Sequence, residues 1–189
     1  MILIIDNYDS FTYNIIQYVG ELTQNFEIKK NDDICHKSIS KKKYSHIIIS
    51  PGPGNPSNSG ECINIVNNYY KKIPILGICL GHQVIGEVFG ALIIKNDVVV
   101  HGKTSTIIHN CKAKIYKNIP QKFQATRYHS LIIEEESLSE KIIVNARLDD
   151  GTIMGIEHLN YPIYGVQFHP ESIKTEYGKE IIGNFINVV

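Results

Sequence analysis

The segment Ile75-Leu-Gly-Ile-Cys-Leu-Gly-His-Gln83 contains the transition that decides the fold of this chain. Its first four residues form an apolar run of strand length, and the pattern then changes to helical spacing. Similar apolar runs occur at residues 2–5, 47–49 and 163–168. Uninterrupted β-branched runs of this length are typical of strands covered on both faces, as in a parallel sheet.

Helical patterns separate the first three of these strands. Apolar residues recur at helical spacing from Phe11 to Leu22, with Ser10 as a candidate N-terminal cap. Residues 61–71 and 83–89 are the next helical segments, and residues 176–188 predict a closing helix. This alternation predicts an α/β fold with an open, mostly parallel twisted sheet and helices on both faces.

Residues 91–146 follow a different pattern. Short apolar pieces alternate there with polar residues and turn signals, which predicts shorter, partly antiparallel strands added to the sheet. Neither an internal repeat nor a low-complexity linker interrupts the sequence. We therefore expect residues 1–189 to form a single domain.

The composition indicates a soluble globular protein, with 43% hydrophobic and 20% charged residues in a chain of 189. The formal net charge is zero, which argues against a nucleic-acid or membrane partner. Two short charged runs, at residues 41–43 and 134–136, are interpreted as solvated loop faces. The apolar start is too short for a signal peptide. We expect a protein of the cytoplasm, or of the plastid stroma if organelle-encoded, and not a secreted one.

The four cysteines are widely spaced and form no C-x-x-C pair. Free thiols are therefore predicted, with neither a disulfide framework nor a metal site. Cys79 differs from the others because Gly77 and Gly81 flank it in a G-x-nucleophile-x-G elbow. A thiol there stands at a helix N-terminus, which favours the thiolate, and the Leu80 N–H faces a forming oxyanion. Cys35, Cys62 and Cys111 are interpreted as buried packing residues rather than nucleophiles.

A cysteine nucleophile needs a base that is held by a third group. His169 follows the strand at 163–168 and is followed by Pro170 and Glu171, so the carboxylate is placed to orient the imidazole. A turn or capping role is the alternative for this short motif, but together with the elbow it completes a Cys-His-Glu arrangement. His82 is the rival base, although its place on the first helical turn favours a packing role.

A rigid loop, Ser50-Pro-Gly-Pro-Gly54, follows the strand at 47–49. Its bare amides suit either a tight turn or an oxyanion loop, and it lacks a phosphate-loop motif. The loop at residues 6–10 follows the first strand in the same way. If the strands are parallel, these loops meet Cys79 and His169 at one edge, where open α/β sheets bind ligands. That grouping predicts acyl transfer.

Three ordered motifs resemble those of the class I (triad-type) glutamine amidotransferases. They are P-G-P-G at 51–54, G-I-C-L-G-H-Q at 77–83 and G-V-Q-F-H-P-E-S at 165–172. Further segments resemble the branch that serves chorismate-using enzymes, the small subunit of anthranilate synthase or of aminodeoxychorismate synthase. These are D-N-Y-D-S-F-T-Y-N at 6–14, H-G-K-T-S at 101–105 and R-Y-H-S-L at 127–131. The resemblance covers nearly the whole chain.

The resemblance implies a role for each matching residue. Cys79 would form a glutamyl thioester, His169 would transfer protons, and Glu171 would hold the imidazole. The groups implied to bind glutamine and its oxyanion are Gly52, Pro53, Gly54, Leu80, Gln83, Ser130 and Leu131. For Gln83, Ser130 and Leu131 the glutamine-binding role rests on the resemblance alone, because the residue patterns do not indicate it.

The implied substrate is L-glutamine, and the implied partner is a large chorismate-binding synthase subunit that receives the ammonia. Anthranilate synthesis is the preferred reaction, with aminodeoxychorismate synthesis as the alternative. The same fold would also suit a non-catalytic α/β regulatory subunit, and the elbow would also suit a cysteine hydrolase of peptides. No cofactor is expected in this chain. The resemblance implies a Mg²⁺ ion only in the partner synthase subunit. One departure is Glu157, where the branch has a basic residue, and it affects only a local ion pair or partner contact.

Overall fold

The computed structural model describes residues 1–188, apart from the side chains of Lys41, Asp97 and Val98. Over these residues the strands are β1 (Ile2–Asp6), β2 (Phe26–Lys30), β3 (His46–Ile49), β4 (Ile75–Ile78), β5 (Ile93–His109), β6 (Lys122–Ile133), β7 (Ile142–Arg147), β8 (Ile153–His158) and β9 (Ile163–Val166). The α-helices are α1 (Thr12–Leu22), α2 (His36–Lys42), α3 (Cys62–Tyr69), α4 (Leu80–Val88) and α5 (Gly178–Ile186). Short 3-10 helices lie at Pro56–Asn58, Lys114–Tyr116 and Glu135–Ser137.

All the described strands join one sheet in the order β2-β1-β3-β4-β9-β8-β7-β5-β6. The five strands from β2 to β9 are parallel, with Ile4 opposite Ile48 and Leu76 opposite Tyr164. Residues of β1, β3, β4 and β9 are almost all buried, because helices cover both faces of this half. The predicted parallel α/β sheet is therefore confirmed.

Two apolar clusters pack on the opposite faces of the sheet. One cluster includes Ile15 of α1 and Phe185 of α5, and the other includes Ile65 of α3 and Val84 of α4. Each helix thus buries one apolar stripe against the strands, which is the main stabilising contribution of a fold of this kind. Among the described residues, no helix is both long and apolar enough to cross a membrane.

Three helix predictions need correction. Ser10 does not cap α1, because Asp9 accepts a hydrogen bond from Phe11 N (2.8 Å) and Asp6 accepts one from Thr12 Oγ1 (3.0 Å). Helix α4 begins at Leu80 rather than at residue 83, because it starts directly from the elbow. The closing helix is shorter than predicted at both ends.

Two elements gave too weak a sequence pattern to be predicted. Strand β2 lies at the edge of the sheet and is only partly buried, so its sequence contains no continuous apolar run. Helix α2 has a mostly polar sequence, and among its described side chains only that of Ile39 is buried. The prediction of a loop is wrong at Lys42, which lies in α2 and pairs with Glu27 (2.6 Å). The prediction that Cys35 and Cys111 are buried is also wrong, because both are exposed, whereas Cys62 is buried as expected.

The second half of the sheet, strands β8, β7, β5 and β6, is antiparallel throughout. Antiparallel strands were expected here, but β5 has 17 residues and β6 has 12, so the prediction of short strands is wrong for this pair. The turn-like residues within β5 are accommodated as irregularities in the ladder, between Lys95 and Val100 and around Gly102. A β-bulge absorbs an extra residue without ending the strand.

Candidate active site

Cys79 occupies a strained turn between β4 and α4. Its φ of 52° and ψ of −98° lie where residues with side chains are rarely found. The backbone N–H of Cys79 donates to the Val166 carbonyl at 2.8 Å, which fixes the turn against the end of β9. Such strain is maintained where the surrounding structure dictates it, as at a nucleophile elbow.

The glycines around the cysteine are required by close backbone contacts. A Cβ atom on Gly77 would lie 2.3 Å from the carbonyl of Gly81, and one on Gly81 would lie 2.5 Å from the carbonyl oxygen of Ile49. Both distances are far below van der Waals contact. The G-x-C-x-G spacing therefore reflects the tight path of the chain from strand to helix.

His169 and Glu171 form a buried pair behind the cysteine. His169 Nδ1 lies 2.7 Å from Glu171 Oε1, and the two residues are 2% and 1% exposed. Burial lowers the pKa of His169, but the neighbouring Cys79 thiol and Glu171 carboxylate outweigh burial and raise this pKa above its ordinary value. Because Glu171 occupies Nδ1, Nε2 is the nitrogen available for proton transfer, and it has no hydrogen-bond partner within the described residues.

A pocket of about 200 Å³ opens beside Cys79. Its other lining residues are Gly52, Pro53, Gly54, Leu80, Gln83, Tyr128, His129, Ser130 and Leu131. The structure thus brings the predicted glutamine-binding residues together around the thiol. His169 and Glu171 do not line the pocket. The His169 ring instead packs against Tyr128, with ring centroids 5.0 Å apart.

The loops after β1 and β3 are locked together at the edge of the pocket. Asn7 Nδ2 donates to the Ser50 carbonyl at 2.8 Å, and Asn7 N donates to Ser50 Oγ at 2.9 Å. A Cβ atom on Gly52 would lie 2.5 Å from Asn7 Cβ and 2.7 Å from Leu80 Cδ2. The Gly52–Gly54 loop is therefore held close to the first turn of α4.

Two further histidines lie near the site and are neutral at neutral pH. Burial and the neighbouring Arg127 lower the pKa of His129 to about 4, and its Nδ1 lies 3.1 Å from the Leu131 carbonyl oxygen. Burial lowers the pKa of His82 to about 3. His82 is fully buried against Gly165 and does not line the pocket, so its position is that of a packing residue.

Residue patterns alone missed three residues at the site. Tyr128 and His129 line the pocket, and Gln167 lies 3.5 Å from Cys79 Sγ through its Nε2. The R-Y-H-S-L and G-V-Q-F-H-P-E-S motifs contain all three and were the available signal.

Glu157 lies on β8 opposite Tyr164, away from the end of β9 that leads to His169. Burial raises the pKa of Glu157.

This geometry suits attack on a carbonyl group by sulfur. The thiol stands at the N-terminus of α4, where the helix dipole favours negative charge. The Leu80 N–H is the first free amide of that helix and is a candidate oxyanion donor. A buried imidazole held by a carboxylate completes the requirements for general acid–base catalysis. The combination favours acyl transfer from a small substrate.

Comparison with known proteins places the chain in a family. The family model described as glutamine amidotransferase class-I matches residues 3–188. The chain is 52% identical to "Anthranilate synthase component 2" of Cyanophora paradoxa, covering 99% of this chain and 98% of that protein. It is 47% identical to "Aminodeoxychorismate/anthranilate synthase component 2" of Bacillus subtilis strain 168, covering 98% and 95% of the two chains.

A longer relative matches the whole chain in sequence, and a solved structure matches it in fold. The chain is 50% identical to "Bifunctional protein TrpGD" of Thermotoga maritima over 99% of its own length, but it spans only 32% of that protein. A solved glutamine amidotransferase from Thermotoga maritima has the same fold, with a TM-score of 0.74 and 18% identity over 90% of this chain and 75% of that one. The match to the family model over residues 3–188, together with the relatives that align over nearly their full length, establishes that the chain belongs to the class-I glutamine amidotransferase family.

Proposed function

We propose that this chain hydrolyses L-glutamine to glutamate and ammonia and delivers the ammonia to a chorismate-using synthase subunit that makes anthranilate. The observation that carries the proposal is the arrangement at the edge of the parallel strands. There Cys79 opens into a small pocket lined by the Gly52–Gly54 loop and residues 128–131, and the buried pair of His169 and Glu171 lies behind it. The proposal places the reaction in the cytoplasm, or in the plastid stroma if the chain is organelle-encoded.

The first half of the reaction forms a thioester. Cys79 Sγ gives its proton to His169 Nε2 and attacks the side-chain carboxamide carbon of glutamine. The resulting oxyanion faces the Leu80 N–H and the backbone of the Gly52–Gly54 loop. His169 Nε2 gives its proton to the departing nitrogen, so that ammonia leaves and a glutamyl thioester remains. Glu171 keeps the imidazole oriented and stabilises its positive charge throughout.

The second half of the reaction restores the thiol. His169 Nε2, now neutral, takes a proton from water, and the hydroxide formed attacks the thioester carbonyl. The C–S bond breaks, glutamate leaves, and the proton returns to the sulfur. The pocket is small enough for one glutamine side chain, whose amino-acid end we assign to Gln83 and the backbone of Ser130 and Leu131.

Two features support a protein partner at this edge. Relatives that match over almost their full length are named component 2 of a synthase. Large apolar side chains are also exposed near the site, with Tyr13 72%, Tyr8 57% and Ile173 93% exposed. Tyr8 lies in the loop after β1, Tyr13 lies in the first turn of α1, and Ile173 follows Glu171 by two residues. Exposed apolar groups around a reactive site favour docking of a second protein.

The relative from Bacillus subtilis supports a second candidate reaction, because its name includes both aminodeoxychorismate and anthranilate synthesis. The large subunit decides between these products, since this chain supplies ammonia in either case. The complex of this chain with the large subunit that copurifies with it should be incubated with chorismate and glutamine, and the amine product identified by mass spectrometry. Anthranilate alone supports the preferred reaction, whereas aminodeoxychorismate identifies the second candidate.

The decisive test separates ammonia production from ammonia use. In the complex, Cys79→Ser should abolish synthesis from glutamine, while synthesis from ammonium salts continues. Cys35→Ser and Cys111→Ser are matched controls on exposed cysteines and should leave both activities unchanged. Loss of both activities in an assembled Cys79→Ser complex would contradict a separate ammonia-producing site. Peptide hydrolysis without glutamine-dependent ammonia release would instead indicate a cysteine peptidase.

The isolated chain should be a poor glutaminase that its partner activates, because free hydrolysis would consume glutamine without an acceptor. Docking beside the Gly52–Gly54 loop could turn one amide toward the oxyanion, and a single such donor is worth roughly 10²–10³ in rate. Glutamate release should be measured from the chain alone, then with large subunit, with and without chorismate. Full turnover by the chain alone would identify a free-standing glutaminase.

A further inference from the structure

Gln167 is a fully buried amide that the proposed reaction does not yet use. It follows β9 directly and precedes His169 by two residues, and its backbone N–H donates to the Met154 carbonyl on β8 at 2.9 Å. Its side-chain Nε2 lies 3.5 Å from Cys79 Sγ. Gln167 does not line the pocket, so its side chain faces the nucleophile rather than the substrate.

Neighbouring groups dictate which end of this amide faces the sulfur. The Leu131 carbonyl can only accept a hydrogen bond, so the Gln83 atom beside it, at 3.3 Å, is the donor Nε2. The same Nε2 lies 3.0 Å from the Gln167 side chain, which must therefore present its oxygen to Gln83. The Gln167 NH₂ group is then left facing Cys79 Sγ.

The chemistry of sulfur makes this contact favour one protonation state of Cys79. A thiol is a weak acceptor, whereas a thiolate is a strong, charged one. A donor fixed against the sulfur therefore stabilises the thiolate more than the thiol. The Gln167 NH₂ group is buried, so losing this contact would also leave a donor without a partner.

We propose that Gln167 is a positioning residue that holds Cys79 Sγ and favours its thiolate by donating a hydrogen bond, with the direction of its amide imposed by the Leu131 carbonyl through Gln83. This chain of contacts connects the pocket wall on β6 to the nucleophile across both halves of the sheet. The inference rests on the proposed function, because it treats Cys79 as the nucleophile.

The test uses alkylation of Cys79 by iodoacetamide, which requires no glutaminase activity. The rate should be followed against pH by mass spectrometry of the Cys79 peptide in the full chain. Gln167→Met keeps the size and removes the donor. We expect a roughly 10- to 100-fold lower rate near neutral pH, as for loss of a hydrogen bond to a charged group. The midpoint of the profile should move to higher pH, while the limiting rate at high pH stays unchanged.

Matched variants separate this role from general packing. Gln167→Glu still accepts from Gln83 but offers no donor to the sulfur, so it should shift the profile in the same direction. Gln124→Met removes a side-chain hydrogen bond to Thr106 from an exposed glutamine on β6 and should shift nothing. An unshifted profile in folded Gln167→Met or Gln167→Glu protein would overturn the proposal.

A measurement on the unaltered chain covers the case in which neither variant folds. The side-chain amide resonances of Gln167 should move as Cys79 is titrated, whereas those of Gln124 should not. Gln167 resonances whose chemical shifts do not change during this titration would also overturn the proposal. In the complex, Gln167→Met should lower kcat for glutamine with little change in KM. A shifted alkylation profile, together with an unaltered complex that has no glutaminase activity, would support this inference and contradict the proposed function. An unshifted profile together with an active complex would contradict this inference alone.

Discussion

The two halves of the sheet contribute different parts of the site. The parallel strands β1, β3, β4 and β9 end at one edge, and the loops that follow them bear Cys79, His169, Glu171 and the Gly52–Gly54 loop. The antiparallel half contributes one long strand, β6, whose residues 128–131 form the opposite wall of the pocket. Reactive groups thus come from loops on a rigid frame, and the recognition surface comes from a strand.

This difference suggests a division of labour between the halves. Changes at the ends of the parallel strands should act on the chemical step, since the thiol, the imidazole and the candidate oxyanion amides lie there. Changes along β6 should act on glutamine binding. The following experiments examine that division.

The largest effect is expected at the imidazole. His169→Ala should lower kcat by about 10³–10⁶, because removing one member of a cooperating triad disables the unit. Glu171→Gln should cost less, since an orienting group is partly replaceable. Steady-state glutaminase kinetics of the complex measure both. His46→Ala, at the opposite end of β3, is the control and should retain activity. Turnover close to that of the unaltered enzyme in His169→Ala would direct attention to His82 as the base.

A smaller loss is expected when the oxyanion loop is displaced. Gly52→Ala places a Cβ atom 2.5 Å from Asn7 Cβ and 2.7 Å from Leu80 Cδ2, so the loop must move. We expect kcat to fall by about 10²–10³, the effect of losing one oxyanion donor. Gly20→Ala is a matched control, because its Cβ meets only Phe26 at 3.7 Å. Equal activity of the two variants would argue against an oxyanion role for this loop.

The antiparallel half should respond through KM. Ser130→Trp fills the pocket from β6, and we expect KM for glutamine to rise roughly tenfold or more, as for overpacking of a fitted site. The kcat for glutamine should stay within a few-fold of the unaltered value, since the nucleophile, His169 and Glu171 are unchanged. Lys122→Trp, on the exposed end of the same strand, is the control. If Ser130→Trp lowered kcat alone, the division between the halves would be wrong.

The smallest effect concerns stability and pH. The pKa of His169 is raised in the folded protein, so the folded state holds this proton more tightly than the unfolded chain does. The resulting stabilisation is complete below the unfolded pKa of about 6.5 and is lost as pH rises toward the folded value. One such group contributes a slope of at most about 1.4 kcal/mol per pH unit.

Glu171→Gln removes the carboxylate that helps to raise this pKa. The free energy of unfolding should therefore fall less steeply above pH 6.5 in Glu171→Gln than in the unaltered chain. Urea denaturation at several pH values measures the two slopes, and contributions from other groups cancel in the comparison. Identical slopes would show that Glu171 does not stabilise the imidazolium in the folded protein.

The sequence by itself determined the parts of this protein that short segments encode. The apolar runs predict buried parallel strands because a strand covered on both faces excludes polar residues. The elbow around Cys79 is readable because Gly77 and Gly81 stand at a fixed spacing around the cysteine, although the contact that requires Gly81 comes from Ile49 on β3. His169 and Glu171 are two positions apart, so their pairing also follows from a local pattern.

Tertiary structure alone decided the features that depend on distant segments. Cys79 and Gln167 are separated by 88 positions, and Gln83 and Leu131 by 48, so no local pattern reports their contact. The pocket wall arises because β6 pairs with β5 and reaches the end of the parallel strands. The edge strand β2 and helix α2 are placed by packing that their mostly polar sequences do not reveal. Long-range packing therefore decides which groups face the nucleophile, while local chemistry decides what the nucleophile is.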